Sequence, residues 1–168
     1  MRLQMMSMLA AAALLAACES TPQQSSNTGG LGGGVGASSL GQGGVGGAVR
    51  PGSQEALQQQ YGDRVFFDFD KSDLSPNSRR TVEGWAAFMR QNPNVTLTVE
   101  GHCDERGTRE YNLALGERRA AAVKRFLGDL GIDARRVATI SYGKERPAVV
   151  GSSDSSYAQN RRGVALVN

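Results

Sequence analysis

Apolar and polar residues follow two different periods in the second half of the chain, one typical of strands and one typical of helices. Residues 95–99 alternate as Val-Thr-Leu-Thr-Val, and residues 65–69 are rich in Val and Phe; both patterns favour a strand. Two more stretches rich in β-branched and small apolar residues predict strands at 137–141 and 163–167. The pattern therefore predicts four strands.

A helix is predicted between the first two strands. Ser75 provides an N-cap, and Pro76 follows at the first helical position, where proline is tolerated. Downstream, four apolar residues recur at helical spacing before Pro93 prevents the helix from continuing. These four residues are Val82, Trp85, Ala86 and Met89.

A longer helix is predicted from about residue 108 to residue 130. Gly131 and Ile132 follow it in the order expected for a Schellman cap. Because strands and helices alternate along the chain, we expect an α+β or α/β sandwich in which helices pack on one face of a mixed or mostly parallel sheet. This folded domain is predicted to span residues 53–168.

The first residues have the pattern of a secretory signal peptide. Arg2 precedes an apolar run over residues 5–17, which is shorter than the roughly 20 residues that a membrane-spanning helix needs. Residues 15–18, Leu-Ala-Ala-Cys, resemble the bacterial lipobox, which predicts cleavage after residue 17 and lipidation of Cys18. A short buried helix that ends in cysteine is the alternative. Glu19 stands where an Asp would favour retention at the inner membrane, so we expect anchoring in the outer membrane.

Residues 18–52 are predicted to form a flexible tether. More than half of the 22 glycines of the chain lie in this segment, which has too few apolar residues to offset the entropy of ordering it. Residues 41–46 match the G-x-G-x-x-G pattern, but no predicted strand precedes them and no predicted helix follows. We therefore expect a flexible tether between the membrane and the folded domain, and no nucleotide-binding site.

Charge and cysteine content exclude several classes of protein. The formal net charge is only +3 and its basic residues are scattered, so no nucleic-acid partner is expected. The chain has two cysteines, and lipidation of Cys18 would leave Cys103 without a partner for an internal disulfide.

The long predicted helix carries a charged residue among its apolar positions. Its predicted buried stripe consists of Tyr111, Leu115, Ala122 and Phe126. Arg119 falls within the same arc, where an arginine needs a partner or an opening.

Asp104 lies between the second strand and this helix, near the N-terminal end of the helix dipole. Together they could bind a zwitterion, Asp104 its ammonium and Arg119 its carboxylate. The alternative is that they form an ion pair with each other.

Four separated motifs resemble the OmpA-like peptidoglycan-binding domain. They are Gly-His-Cys-Asp-Glu-Arg-Gly at 101–107, Leu-Gly-Glu-Arg-Arg at 115–119, Ser-Tyr-Gly at 141–143 and Asn-Arg-Arg at 160–162. The resemblance implies a β-α-β-α-β-β fold and non-catalytic binding of the meso-diaminopimelate stem peptide. It places Asp104 and Arg119 on that zwitterionic side chain. Further binding residues implied by the resemblance are Phe69, Asp70, Lys71, Thr108, Asn112 and Arg162.

The resemblance also implies protein partners, and this sequence departs from the family pattern at one position. Members of this family in the Tol system, which draws the envelope inward at division, also bind the periplasmic propeller protein TolB. A module that binds mainly TolB-like proteins is therefore the alternative function. Cys103 stands where many relatives have Thr, and we expect this to alter affinity without abolishing it, because a thiol is a weaker donor.

An enzyme is not expected. His102 is the only histidine, and strand alternation should direct Cys103 to the face opposite its neighbours His102 and Asp104, which disfavours a Cys-His dyad. A zinc site needs three or four convergent ligands, and this cluster stands alone. We therefore expect no catalytic residues, no metal and no cofactor.

Overall fold

The computed structural model describes residues 49–168. The predicted signal peptide, the lipidation site Cys18 and the predicted tether up to residue 48 lie outside the described residues. In chain order the elements are α1 (Gln54–Tyr61), β1 (Arg64–Phe66), α2 (Pro76–Gln91), β2 (Leu97–His102), α3 (Arg109–Asp129), β3 (Val137–Gly143), α4 (Asp154–Asn160) and β4 (Arg162–Val167), with a 3-10 turn at Ala134–Arg136 before β3.

The strands form one mixed sheet in the order β1-β4-β2-β3. β4 is antiparallel to both β1 and β2, whereas β2 and β3 run parallel and are connected through α3. Helices pack on this sheet, so the predicted fold class is confirmed. Among residues 49–168, no helix combines the length and the apolar character needed to span a bilayer.

The core lies between α2, α3 and the sheet. Trp85 is completely buried and donates from Nε1 to the carbonyl oxygen of Gly62 over 2.7 Å. Leu97 and Val99 extend from β2 into the same cluster, and Val123 and Leu127 reach it from α3. The predicted stripe of α2 is confirmed, since all four of its residues belong to this core.

Both predicted helix caps are confirmed. The Ser75 side chain accepts from the Ser78 backbone N–H, and Pro76 opens α2. At the end of α3, Gly131 has φ 85° and the Ile132 N–H donates to the Leu127 carbonyl oxygen over 3.0 Å, which closes a Schellman motif.

The predicted limits of the second strand are wrong by two to three residues. The strand begins at Leu97 because the Val95 N–H is already bonded to the Asn92 carbonyl oxygen in a turn. It then continues to His102 beside β3, with a register shift between Gly101 and His102.

The predicted buried face of α3 is also corrected. Tyr111 is 45% exposed, whereas Leu115 and Arg119 are buried as predicted. The rest of the buried face includes Asn112, Gly116 and Val123. Ala122 and Phe126 are only partly buried. The helix is rotated relative to the predicted orientation because Gly116 has no side chain. The helix backbone at Gly116 therefore lies directly against Gly101 of β2. This contact brings the first turns of α3 under the end of β2.

Candidate functional site

A cavity of about 190 Å³ lies where the end of β2, the start of α3 and the loop between β1 and α2 meet. Two carboxylates and three guanidinium groups share its wall with aromatic and small residues. The charged residues are Asp70, Asp104, Arg106, Arg119 and Arg161. Opposite charges in one small opening suit a ligand that carries both signs.

Arg119 is 0% exposed and is held by backbone oxygens from the loop after β1 and from the end of β2. Its Nε donates to the Lys71 carbonyl over 2.9 Å, and Nη2 donates to the Asp68 carbonyl over 3.1 Å. Nη1 donates to the His102 carbonyl over 2.8 Å and to Cys103 Sγ over 3.4 Å. Burial lowers the pKa of Arg119 from its ordinary value. Within residues 49–168 these bonds use four of the five N–H groups, which leaves one on Nη2.

Asp104 is 4% exposed, and both of its oxygens are occupied. Oδ1 accepts from the backbone N–H and from Nε of Arg106, each over 3.2 Å. Oδ2 accepts from Arg106 Nη2 over 2.7 Å and from Arg161 Nη1 over 3.3 Å. Burial by itself would raise the pKa of Asp104, but the hydrogen bonds from Arg106 and Arg161 outweigh it and hold the pKa below its ordinary value.

The ion pair predicted as the alternative, between Asp104 and Arg119, is wrong. Among the described residues, Asp104 pairs with Arg106 and Arg161, and Arg119 is bonded to carbonyl oxygens and a thiol. The two groups therefore stand side by side in the cavity wall without cancelling each other.

Arg106 is stacked between two aromatic rings at the rim of the cavity. Its guanidinium carbon lies 4.1 Å from the Phe69 ring centre and 4.4 Å from the Tyr157 ring centre. The neighbouring Glu105 accepts from Ser152 Oγ over 2.7 Å and from Tyr157 Oη over 2.9 Å. The loop that carries Asp104 is thus attached to α4 as well as to β2.

Asp70 contributes a second carboxylate from the loop after β1. It has φ 57°, a left-handed conformation that is uncommon for residues other than glycine and that concentrates at binding sites. The Tyr111 hydroxyl donates to Asp70 Oδ1, and this bond raises the pKa of Tyr111. Tyr111 is exposed because it faces this loop and lines the cavity.

Thr108 and Asn112 hold the loop in place. Thr108 is the N-cap of α3, and its side chain accepts from the Tyr111 N–H. Asn112 donates from Nδ2 to the carbonyl oxygens of Arg106 and Thr108, over 2.8 and 3.1 Å, and also lines the cavity.

The structure thus brings Phe69, Asp70, Asp104, Asn112 and Arg119 together at the cavity. It places three other predicted site residues elsewhere. Lys71 lines a neighbouring groove, Thr108 caps α3, and Arg162 is buried and donates to the carbonyl oxygens of Asn160 and Arg146.

Arg106, Tyr111 and Arg161 line the cavity and were not predicted to bind. Arg161 stands next to Arg162 in the same motif. Arg161 lies just before β4 and donates to the Phe67 carbonyl oxygen and to Asp104, which places it at the cavity, whereas Arg162 is the first residue of β4.

His102 and Cys103 face different surroundings, as expected. The His102 ring packs 5.6 Å from the Tyr142 ring, whereas Cys103 lines the cavity. The expectation that Asp104 lies opposite Cys103 is wrong, because β2 ends at His102 and strand alternation stops there. Burial raises the pKa of the Cys103 thiol. In the part of the chain described, no three His, Cys, Asp or Glu side chains converge to hold a metal ion.

Comparison with known proteins matches residues 66–161 to the OmpA family. The peptidoglycan-associated lipoprotein of Agrobacterium fabrum is 50% identical over 131 residues, which cover 78% of this chain and 73% of that protein. The protein of the same name from Brucella melitensis is 43% identical over 154 residues, covering 92% and 85%.

The crystal structure of the peptidoglycan-associated lipoprotein from Burkholderia pseudomallei has the same fold. It aligns with a TM-score of 0.62 and 38% identity, over 63% of this chain and 90% of that one. The chain therefore belongs to the OmpA family and is a homologue of the peptidoglycan-associated lipoproteins, which are structural proteins and not enzymes.

Proposed function

We propose that this chain is an outer-membrane lipoprotein that anchors the membrane to peptidoglycan without a covalent bond. In this proposal Cys18 carries the lipid, residues 18–52 form the tether, and the domain at 53–168 binds the diaminopimelate side chain of the stem peptide. The names of the relatives support the ligand class, since they are peptidoglycan-associated lipoproteins.

The mixture of charges in one small cavity carries the proposal. A zwitterionic side chain ends in an ammonium and a carboxylate, and the wall offers carboxylates from Asp70 and Asp104 beside the guanidinium of Arg119. Bonds between charged groups are the stronger class of hydrogen bond, more so where water is excluded. The positive charge of Arg119 in the cavity wall suits the ligand carboxylate.

The size of the cavity agrees with a side chain as the bound group. Its volume of about 190 Å³ is below the roughly 300–1,000 Å³ of clefts that enclose a whole drug-sized ligand. We infer that one terminal group of the stem peptide enters the cavity, while the rest of the peptide stays on the surface.

The experiment is a pull-down of the full chain, in mild detergent, with purified sacculi. Free meso-diaminopimelate should compete with the sacculi, and Asp104→Asn should abolish the binding. The matched control is Asp133→Asn, because Asp133 is bonded to Arg135 two residues later in the same manner as Asp104 to Arg106, outside the cavity. Sacculus binding that survives Asp104→Asn and resists diaminopimelate would refute the proposal.

The proposed cellular role is in the Tol–Pal system, with a TolB-like protein as second partner. If purified TolB binds the chain and sacculi do not, the function is that of a protein-binding module. Membrane anchoring is tested separately: Cys18→Ser should remove the chain from the outer-membrane fraction, because it blocks both lipidation and the cleavage that depends on the lipobox, and an unchanged distribution would contradict lipidation.

A further inference from the structure

The carboxylate of Asp104 has no vacant acceptor position. A carboxylate offers about four lone-pair sites, and four donors occupy them: the backbone N–H, Nε and Nη2 of Arg106, and Nη1 of Arg161. A ligand ammonium can bond directly to Asp104 only if one of these donors leaves.

Arg106 is better placed to leave than Arg161. The Arg161 side chain is 15% exposed and is also anchored through Nε to the Phe67 carbonyl over 3.1 Å. The Arg106 side chain is 39% exposed, and its polar atoms bond only to Asp104 among the described residues. Its backbone N–H would stay on Asp104 after the side chain moves.

The aromatic rings on either side of Arg106 reduce the cost of that movement. The guanidinium lies between the faces of Phe69 and Tyr157. Such cation–π contacts are attractive, and they do not fix the direction in which the N–H groups of the guanidinium point. The charged group can therefore turn away from Asp104 and remain stacked at the rim.

We propose that Arg106 is a resident counter-ion of Asp104 that the ligand ammonium displaces, and that this exchange makes the site selective for ligands with a free amine. Asp104 is buried and ionised, and once the Arg106 side chain leaves, Arg161 is the one cation among the described residues still bonded to it, over 3.3 Å, so the incoming group has to restore the lost positive charge. An acylated amine carries no charge and cannot take the place of Arg106. The inference rests on the proposed function, since it assumes that the ammonium enters at Asp104.

The test compares two peptides and two variants of the full chain in detergent. The peptides are N-acetyl-L-Ala-γ-D-Glu-meso-diaminopimelate, whose only free amine is on the diaminopimelate side chain, and the same peptide with that amine acetylated as well; binding is measured by calorimetry. Arg106→Gln removes the competing charge and keeps a planar polar end. Arg135→Gln is the control, because Arg135 makes the same two-residue pair with Asp133 away from the cavity.

Arg106→Gln should bind the free-amine peptide more tightly than the unmodified chain, by roughly fivefold, the value of a partly exposed ion pair. Arg135→Gln should not change the affinity, and the acetylated peptide should bind neither variant measurably. Unchanged or weaker binding by Arg106→Gln would overturn the exchange, while leaving the proposed function intact if Asp104→Asn still abolishes binding. Failure of the unmodified chain to bind the free-amine peptide would overturn the proposed function itself.

A measurement on the unmodified chain does not depend on the variant folding. The Nε–H of Arg106 has its own NMR resonance, which should move on saturation with the free-amine peptide as the bond to Asp104 breaks. A resonance that stays in place at saturation contradicts displacement.

Discussion

Gly101 of β2 and Gly116 of α3 bring a strand and a helix into direct backbone contact. A Cβ on Gly101 would lie 1.9 Å from the Gly116 carbonyl oxygen, and a Cβ on Gly116 would lie 2.3 Å from Ser141 Oγ. No side chain fits at either position without moving the helix. Because Arg119 follows Gly116 by less than one turn, the same contact places its guanidinium under the end of β2.

Gly116→Ala should therefore destabilise the domain, although alanine is the better helix former. Overpacking of this kind costs about 1–3 kcal/mol, and urea unfolding should show it as a lower midpoint. Gly128→Ala in the same helix is the control: apart from its chain neighbours and the backbone of the helix itself, no described atom lies within 4 Å of the added Cβ, so it should gain about 0.5–1 kcal/mol. Equal effects of both substitutions would mean that the backbone contact does not set the helix position.

Arg119→Lys should cost more than a conservative change on the surface. Lysine keeps the charge but lacks the planar fork that reaches the carbonyl oxygens of Asp68, Lys71 and His102, so buried acceptors lose their donors. We expect a loss of about 1–3 kcal/mol in the free energy of unfolding, the cost of leaving a buried acceptor without its donor. The neighbouring Arg118 is exposed, and Arg118→Lys should stay within about 0.5 kcal/mol of the unmodified chain.

If Arg119→Lys unfolds at the same urea concentration as Arg118→Lys, the carbonyl contacts contribute nothing to stability. Arg119 would then serve the ligand alone. The structure favours a double role, because one guanidinium both joins the loop after β1 to the end of β2 and supplies the buried positive charge of the site.

The elements predicted from the sequence were those with strong local signals. Ser75 and Pro76 determine the start of α2, and Gly131 with Ile132 determines the end of α3. Each of these signals consists of residues that are adjacent in the sequence. The helices α1 and α4 were missed because each buries only two residues, so neither shows a helical period. Their positions follow from packing against the rest of the domain.

The candidate site was predictable in part, from a conflict between charge and periodicity. Arg119 and Asp104 were identified because an arginine on an apolar face and an acidic residue before a helix each need a partner. The identity of those partners was not predictable, because Arg106 and Arg161 approach Asp104 from separate loops. Arg162 was predicted from the Asn-Arg-Arg motif alone, and the motif does not show that Arg161, the residue before β4, is the one that reaches Asp104.

His102 should make the domain less stable in acid. Burial and the nearby charge of Arg162 lower its pKa from 6.5 to about 4, and in the described part of the chain neither ring nitrogen has a hydrogen-bond partner, although Glu100 Oε2 lies 3.4 Å from Nε2. Above pH 6.5 the ring is neutral in both the folded and the unfolded chain, so it does not lower the stability. As the pH falls from 6.5 towards 4, the unfolded chain binds a proton that the folded chain refuses, so stability falls.

The free energy of unfolding should fall by about 2–3 kcal/mol between pH 7 and pH 4.5, because each unit of difference between the folded and unfolded pKa corresponds to roughly 1.4 kcal/mol. Urea unfolding at several pH values should show a shallower acid slope for His102→Gln than for the unmodified chain. Carboxylates that are not in contact with His102 contribute equally to both proteins and cancel in the comparison. Parallel slopes would show that His102 is protonated in the folded state.

Cys103 should be an unreactive thiol in the folded protein. It is buried, its Sγ donates to the Asn112 carbonyl over 3.3 Å, and burial raises its pKa, so the thiolate that reacts with disulfide reagents is scarce. With Cys18→Ser as background, labelling by a thiol reagent should be on the order of a hundredfold slower in buffer than in urea, since it waits for local opening. A full ligand cavity should slow it further, because Cys103 lines that cavity. Rapid labelling in buffer, or a disulfide dimer on a non-reducing gel, would show that the end of β2 opens readily and that the cavity wall is not preformed.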